Sequence, residues 1–228
     1  MRSRVIIALC ASWSSVCGQV PAEHRLRFVP YFSGRPLVLE TPMVLGDDVP
    51  VTLSTFRFYA GHFAGCHGGV WSSLREEYRL IDASDTATLD VDFATAPASL
   101  DSISFLLGVD SLTNVSGAFG GDLDPIKGMY WAWNSGYINL KLEGTSPISP
   151  YASHAFELHL GGYLPPFATA QRVALPLYGD GPWTVKVDVA PLLAAADPRA
   201  RCNVMSPGQQ AVRLSQVAVQ LFKTDAPR

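Results

Sequence analysis

Two histidines in HAFELHLGGY, residues 154–163, are the first candidates for chemistry. A neutral imidazole can relay a proton or ligate copper or zinc. On a strand, alternation puts Phe156, Leu158 and Leu160 on one face and Glu157 with His159 on the other. His154 and His159 are separated by an odd number of residues, so in a regular strand they face opposite ways and do not share a metal. The ordinary use of a lone strand histidine is a hydrogen bond, and His159 by itself specifies no metal.

GHFAGCHGG, residues 61–69, gathers His62, Cys66 and His67 in what reads as a glycine-rich loop. The spacing could grip a metal, although a zinc site wants a further ligand or water. The plainer use is a solvated loop held by a disulfide. GGDLDP, residues 120–125, has two carboxylates beside glycines, but the oxygen ligands and terminal Glu of a calcium loop are missing, so it reads as a turn. There is no Gly-x-Ser-x-Gly elbow, phosphate loop or His-Glu-x-x-His helix. The expectation is binding without catalysis.

WAWNSGYI, residues 131–138, sets two tryptophans one residue apart before an Asn-Ser-Gly turn signal. On a strand Trp131 and Trp133 share a face, where their ordinary use is burial. An exposed version, with Tyr137 and Asn134, would be a stacking platform with a polar handle. That alternative makes the chain a glycan-binding or cell-surface adhesion module.

These residues need a scaffold, and periodicity supplies one. Strands are predicted over 24–32, 51–59, 77–81, 88–93, 100–108, 137–143, 154–160, 171–176 and 183–189, several of them alternating polar with apolar and separated by Gly, Pro and Asp turns. The fold class expected is an all-β, antiparallel β-sandwich with a C-terminal helix. For that helix Ser206-Pro207 offers a cap and first position, followed by a stripe of Val212, Leu214, Val217, Leu221 and Phe222. At 228 residues and 48% hydrophobic, the chain affords a sizeable core. With no internal repeat or long linker, one domain over 19–228 is expected. The net charge of -3 gives no basic stripe for nucleic acid.

Arg2 and Arg4, the apolar run 5–16 and Val16-Cys17-Gly18 read as a signal peptide, 1–18, cleaved before Gln19. The run is too short to be a membrane span, and the mature protein is expected to be periplasmic or secreted. Cleavage removes Cys10 and Cys17 and leaves Cys66 and Cys202, an even pair for which a disulfide is expected in an oxidising compartment.

The run GVDSLTNVSGAFGGDLDPIKGMYWAWNSGYINLKLEGTS, 108–146, with FELHLGGY, 156–163, and NVMSPG, 203–208, resembles the MbnP family of exported bacterial copper-binding proteins. FRFYAG, 56–61, and YRLIDASD, 78–85, resemble its earlier strands. The resemblance implies a copper carrier, scavenger or buffer. It also implies a tryptophan oxidised to kynurenine by a partner dihaem enzyme of the MauG type, the opened ring then helping histidines to bind copper. An indole nitrogen has no free lone pair for a metal, whereas the opened ring exposes an aniline nitrogen and carbonyls. By motif position Trp131 and Trp133 are the implied modification sites and His159 the implied ligand. Met205 is a softer donor suited to Cu(I), and His62, His67 or His154 is expected to add a second imidazole.

Overall fold

The computed structural model describes residues 24–46, 48–94, 99–134, 136–200 and 202–226. The expected leader, 1–18, lies outside them. Two sheets face each other, as the alternating pattern requires. The smaller runs β14-β13-β1-β2, with β7 beside β1, from strands β1 (Arg25–Phe32), β2 (Arg35–Pro36), β7 (Asp90–Asp92), β13 (Trp183–Asp188) and β14 (Phe222–Thr224). The larger runs β11-β10-β4-β8-β12, from β4 (Val49–His67), β8 (Ser102–Leu107), β10 (Gly136–Thr145), β11 (Ala155–Gly161) and β12 (Gln171–Pro176). Short strands β3 (Pro42–Leu45), β5 (Val70–Arg75) and β6 (Arg79–Asp82) also pair with β4, and β9 (Tyr130–Trp131) pairs with β10. Pairing is antiparallel except between β1 and β13, which run parallel with Leu26 opposite Trp183.

The core follows from alternation. Phe28, Phe58, Phe105 and Phe222 come from both sheets and the last strand, and their ring centroids lie 5.3–6.2 Å apart, most pairs edge to face. Such rings add specific geometry to a large burial. Tyr59, one residue on from Phe58, points the other way, into a second cluster with Leu80, Val109, Met129, Trp131, Tyr137 and Ile138. The larger sheet therefore has apolar cover on both faces, and the candidate residues sit on its outer one.

Short helices α1 (Ser111–Val115), α2 (Ala190–Ala196) and α3 (Gln209–Ala218) complete the fold. Helix α3 buries Ala211, Leu214, Ser215 and Ala218. It begins two residues after Pro207, with Gly208 at its cap position and no side-chain cap bond. Of the expected stripe, Leu214, Leu221 and Phe222 are buried, while Val212 and Val217 are only half-buried and Phe222 already belongs to β14.

Two expectations are corrected. GHFAGCHGG is not a loop: β4 runs unbroken to His67 with a bulge between Gly61 and Ala64, and only Gly68-Gly69 turn the chain into β5. The expected Cys66–Cys202 disulfide is absent, and both thiols are free and buried. Cys66 lies at the far end of β4, opposite Trp71 of β5, whereas Cys202 is two residues before Val204, which bridges Leu158 of β11. Leu142 lies opposite both Leu158 and Phe56, so Cys66 is ten residues beyond the level of that bridge. At strand rise this is on the order of 30 Å, against the roughly 4–7 Å between Cα atoms that a disulfide needs. Alkylation of denatured, unreduced protein should therefore label both cysteines; label on neither would restore the pairing.

Candidate metal centre

The outer face of the larger sheet carries two histidine centres. The first is His62, a non-glycine residue at φ +48° in the bulge of β4. Left-handed backbone at such a residue is uncommon, and bulges re-aim side chains. His62 Nδ1 lies 2.8 Å from Glu76 Oε2, and Nε2 lies 2.8 Å from Tyr78 Oη and 2.9 Å from Asp110 Oδ2. The Tyr78 hydroxyl donates to Asp110 Oδ2 at 2.6 Å and accepts from the Asp110 amide at 3.1 Å. Arg172 holds the bulge by donating to the His62 carbonyl at 2.9 Å. Three elements meet here: β4 supplies His62, the chain leading into β6 supplies Glu76 and Tyr78, and Asp110 is the side-chain cap of α1.

Two carboxylates flank the His62 ring, and their surroundings keep both ionised. Burial alone would raise the Asp110 carboxyl, but the Thr113 amide, the Tyr78 hydroxyl and His62 hold it down at about 2. Ser73 first and then His62 lower Glu76. Burial pushes the Tyr78 phenol up to about 12, so it serves as a neutral hydroxyl. The side chains of His62 and Asp110 are 31% and 32% exposed. They are within reach of solvent through two open clefts that both touch His62 and Glu76. One, of about 470 Å³, includes Tyr78, Phe119 and Asp122. The other, of about 440 Å³, includes Trp71, Ser73 and Arg172.

The second centre is His159 on β11. Its neighbours Leu158 and Leu160 enter the core, so its ring lies on the outer face. It is only 6% exposed, and Nε2 lies 2.6 Å from Glu143 Oε1. Trp131 is 5% exposed and packs on β11 at Gly161, where an added Cβ would meet its Cζ3 at 2.6 Å. Trp133 leans on Trp131, with centroids 5.6 Å apart, and is itself 67% exposed. The His159 amide donates to the Val204 carbonyl at 2.7 Å, and Leu158 bridges Val204 in parallel. That register sets exposed Met205 alongside His159.

The residues singled out in the sequence thus divide. His159, Trp131, Trp133 and Met205 share one region. His62 does not reach it: Lys141 lies opposite both His159 and Arg57, and His62 is five residues beyond Arg57, a separation on the order of 15 Å or more. His154, at φ +56° in the turn before β11, is exposed and five residues from His159. His67, exposed at the end of β4, bonds Ser99 instead. None of them gives His159 a second imidazole. Among the described residues no three His, Cys, Asp or Glu side chains converge on one metal position; at His62 the third donor is a phenol.

Asp122 and Asp124 form no calcium loop. Asp122 pairs with Lys127 and Arg79, and Asp124 caps a short 3-10 turn. The sugar platform is also dismantled. Trp131 and Tyr137 are buried, and the Tyr137 hydroxyl is occupied by the Phe119 amide at 2.9 Å. Glu76, Tyr78, Asp110 and Glu143 were not signalled by any motif. Only Glu143 was within reach, since pairing the strands before and after the 146–154 connection as a hairpin brings it near His159.

A sequence profile described as MbnP matches residues 21–206. The fold is similar to that of a solved structure, MbnP from Methylosinus trichosporium, with a TM-score of 0.61 over 82% of this chain and 86% of that one. The two are 16% identical, so this likeness concerns the fold. No curated protein matches the chain.

Proposed function

The chain belongs to the MbnP family, and from that premise we propose that it is an exported, non-catalytic copper-binding protein that carries or buffers one copper ion at His62. The observation that supports this most is the triangle of His62 Nε2, Asp110 Oδ2 and Tyr78 Oη, whose edges are 2.9, 2.8 and 2.6 Å. Adjacent donors at right angles on one ion, as in a tetragonal Cu(II) site, stand about 2.8 Å apart when the bonds are near 2.0 Å. Imidazole with oxygen donors suits Cu(II), and a metal at Nε2 takes the place of a proton. Asp110, kept ionised, supplies the compensating charge, and Glu76 fixes the ring through Nδ1. A hydrogen-bonded carboxylate behind a ligating imidazole orients it and raises its basicity.

Trp71 is the indole that shares a cleft with His62, and it is 50% exposed. If the partner is a dihaem MauG-type enzyme, ring opening that serves this centre falls on Trp71 rather than on Trp131 or Trp133. Cleavage of the indole C2–C3 bond takes up two oxygen atoms, from dioxygen or from two equivalents of peroxide, and C2 then leaves as formate on hydrolysis. The net change, one oxygen gained and one carbon lost, adds about 4 mass units to the indole-bearing peptide.

The test is metal analysis and peptide mass spectrometry on protein purified from the periplasm of a copper-replete host that makes the dihaem partner. About one copper per chain is expected, with His62→Gln losing at least nine-tenths of it while keeping the wild-type circular dichroism. Stoichiometric zinc, no metal, or copper retained in His62→Gln would each refute the centre. An intact Trp71 peptide in copper-loaded protein would remove the modification and leave the His62 site standing.

A further inference from the structure

At the end of the larger sheet away from β11, four strands line up small side chains. Register puts Ala174 of β12 opposite Ser104 of β8, Ser104 opposite Ala64 of β4, and Ala64 opposite Ser73 of β5. Ile103, Phe105, Val173 and Leu175, on either side of them in β8 and β12, belong to the main core, so alternation turns Ser104 and Ala174 to the outer face. Ser104, Ala64 and Ser73 floor the open cleft of about 440 Å³ that Trp71 and Arg172 border. Two residues from Ser104 on one side, Leu106 lies opposite Arg172; two residues on the other, Ser102 lies opposite Cys66, which in turn faces Trp71. The arginine and the indole therefore stand at opposite ends of this floor, four residues or about 13 Å apart along the strand direction.

The fold leaves these groups with spare capacity. Arg172 donates one N–H to the His62 carbonyl, and among the described residues the rest of its fork has no partner. Ser104 is 9% exposed, its hydroxyl makes no hydrogen bond among the described residues, and it lines the cleft. Glu76 accepts from Ser73 on one oxygen and meets His62 Nδ1 on the other, and each oxygen keeps a further lone pair. Unlike the buried Trp131 and Tyr137, Trp71 is half in solvent. The opposite charges of Arg172 and Glu76 offset each other, so nothing here selects an ion by sign. Donors and acceptors side by side suit vicinal hydroxyls, each of which is both. An exposed indole face packs against the apolar C–H face of a pyranose ring. Because the cleft is open, it suits a stretch of a longer chain better than a small molecule that must be enclosed.

We propose that this trough binds a neutral glycan, one pyranose ring stacking on Trp71 and the hydroxyls of the chain bonding to Ser104, Arg172 and Glu76. It is a different site from the proposed copper position, since Tyr78 and Asp110, which hold His62 Nε2, do not line it. The two readings stand or fall separately: sugar binding needs no metal, and copper at Nε2 needs no sugar. Ring opening at Trp71 would break up its stacking face, so the sugar site requires the intact indole.

Calorimetric titration of the full mature chain tests the site, with protein made without the dihaem partner and kept metal-free by a chelator. The probes are cellohexaose, chitohexaose and maltohexaose, with a polygalacturonate hexamer as the charged comparison. At least one neutral hexamer should bind, and more tightly than the charged one. Trp71→Ala, a change at an exposed position, should weaken that binding by about tenfold or more. Ser104→Val, which puts methyls in place of the hydroxyl on the floor, should weaken it by about threefold or more. Trp133→Ala removes the other exposed indole and should stay within about twofold of the wild type. Circular dichroism like that of the wild type shows that each variant is folded. The proposal is overturned if no neutral hexamer binds, if Trp71→Ala binds as the wild type does, or if the charged hexamer is preferred. It is equally overturned if Trp133→Ala loses as much as Trp71→Ala, which would move the sugar to residues 131–138.

Discussion

Gly144→Ala should destabilise the protein by about 3 kcal/mol or more, at the upper end of what overpacking costs. Gly144 lies in β10 where the register against β4 shifts, and a Cβ there would stand 2.3 Å from the Thr52 carbonyl oxygen, 2.8 Å from Phe156 Cζ and 3.1 Å from the Leu53 Cα. Two of those three atoms are backbone of the hub strand, which also pairs with β8, β3, β5 and β6, so neither strand can step aside cheaply. Gly120→Ala is the matched control. A Cβ there meets nothing within 4 Å and the residue has φ -88°, so its effect should stay within about 0.5 kcal/mol. Urea denaturation of the two variants reads the difference; equal midpoints would mean that β4 and β10 separate without cost.

Glycines in β4 show why part of the fold was hidden in the sequence. Strands such as β12, which matches its expected range to the residue, announce themselves because one face is buried and alternation reports it directly. In β4 the signal breaks at Gly61 and Gly65, which look like turn residues. They are glycines for another reason: a Cβ at Gly61 would meet the Tyr78 ring at 2.4 Å, and one at Gly65 would meet Leu100 at 2.7 Å. Side chains from distant segments lie on the strand backbone there, and nothing local encodes that. Helix α2 was missed because seven residues with Pro191 in the first turn give too short a period to detect.

The candidate site was legible in proportion to its locality. His159 and Glu143 belong to adjacent antiparallel strands, so their meeting follows from a hairpin register. His62 and Asp110 are 48 residues apart and meet only because a bulge swings His62 off the strand's regular path. Motif reading placed His62 with Cys66 and His67 by closeness in sequence. The extended backbone then carries those two away from it.

The other large effect is electrostatic and belongs to Glu143. The His159 hydrogen bond takes the Glu143 carboxyl from 4.5 to about 2, burial works against it, and Thr55 and Lys141 add to it. The folded protein therefore binds this proton more weakly than the unfolded chain, which takes it up first as the pH falls. The stability contributed by the pair is fully present above pH 4.5 or so and is lost as pH drops through about 2. A shift of that size corresponds to roughly 3 kcal/mol as an order of magnitude, since each pKa unit is about 1.4 kcal/mol. The Glu143 side chain is 23% exposed, so solvent screening takes only part of this away. Glu143→Gln keeps the shape and an acceptor for His159 Nε2–H but cannot titrate. Urea denaturation at a series of pH values from 6 down to 1.5 should show the wild type losing roughly 3 kcal/mol more than Glu143→Gln. Asp110 also titrates near the bottom of this window, but it is present in both proteins and cancels from the difference. Parallel stability curves for the two would mean that the Glu143 carboxylate gains nothing over a neutral amide from its hydrogen bond with His159.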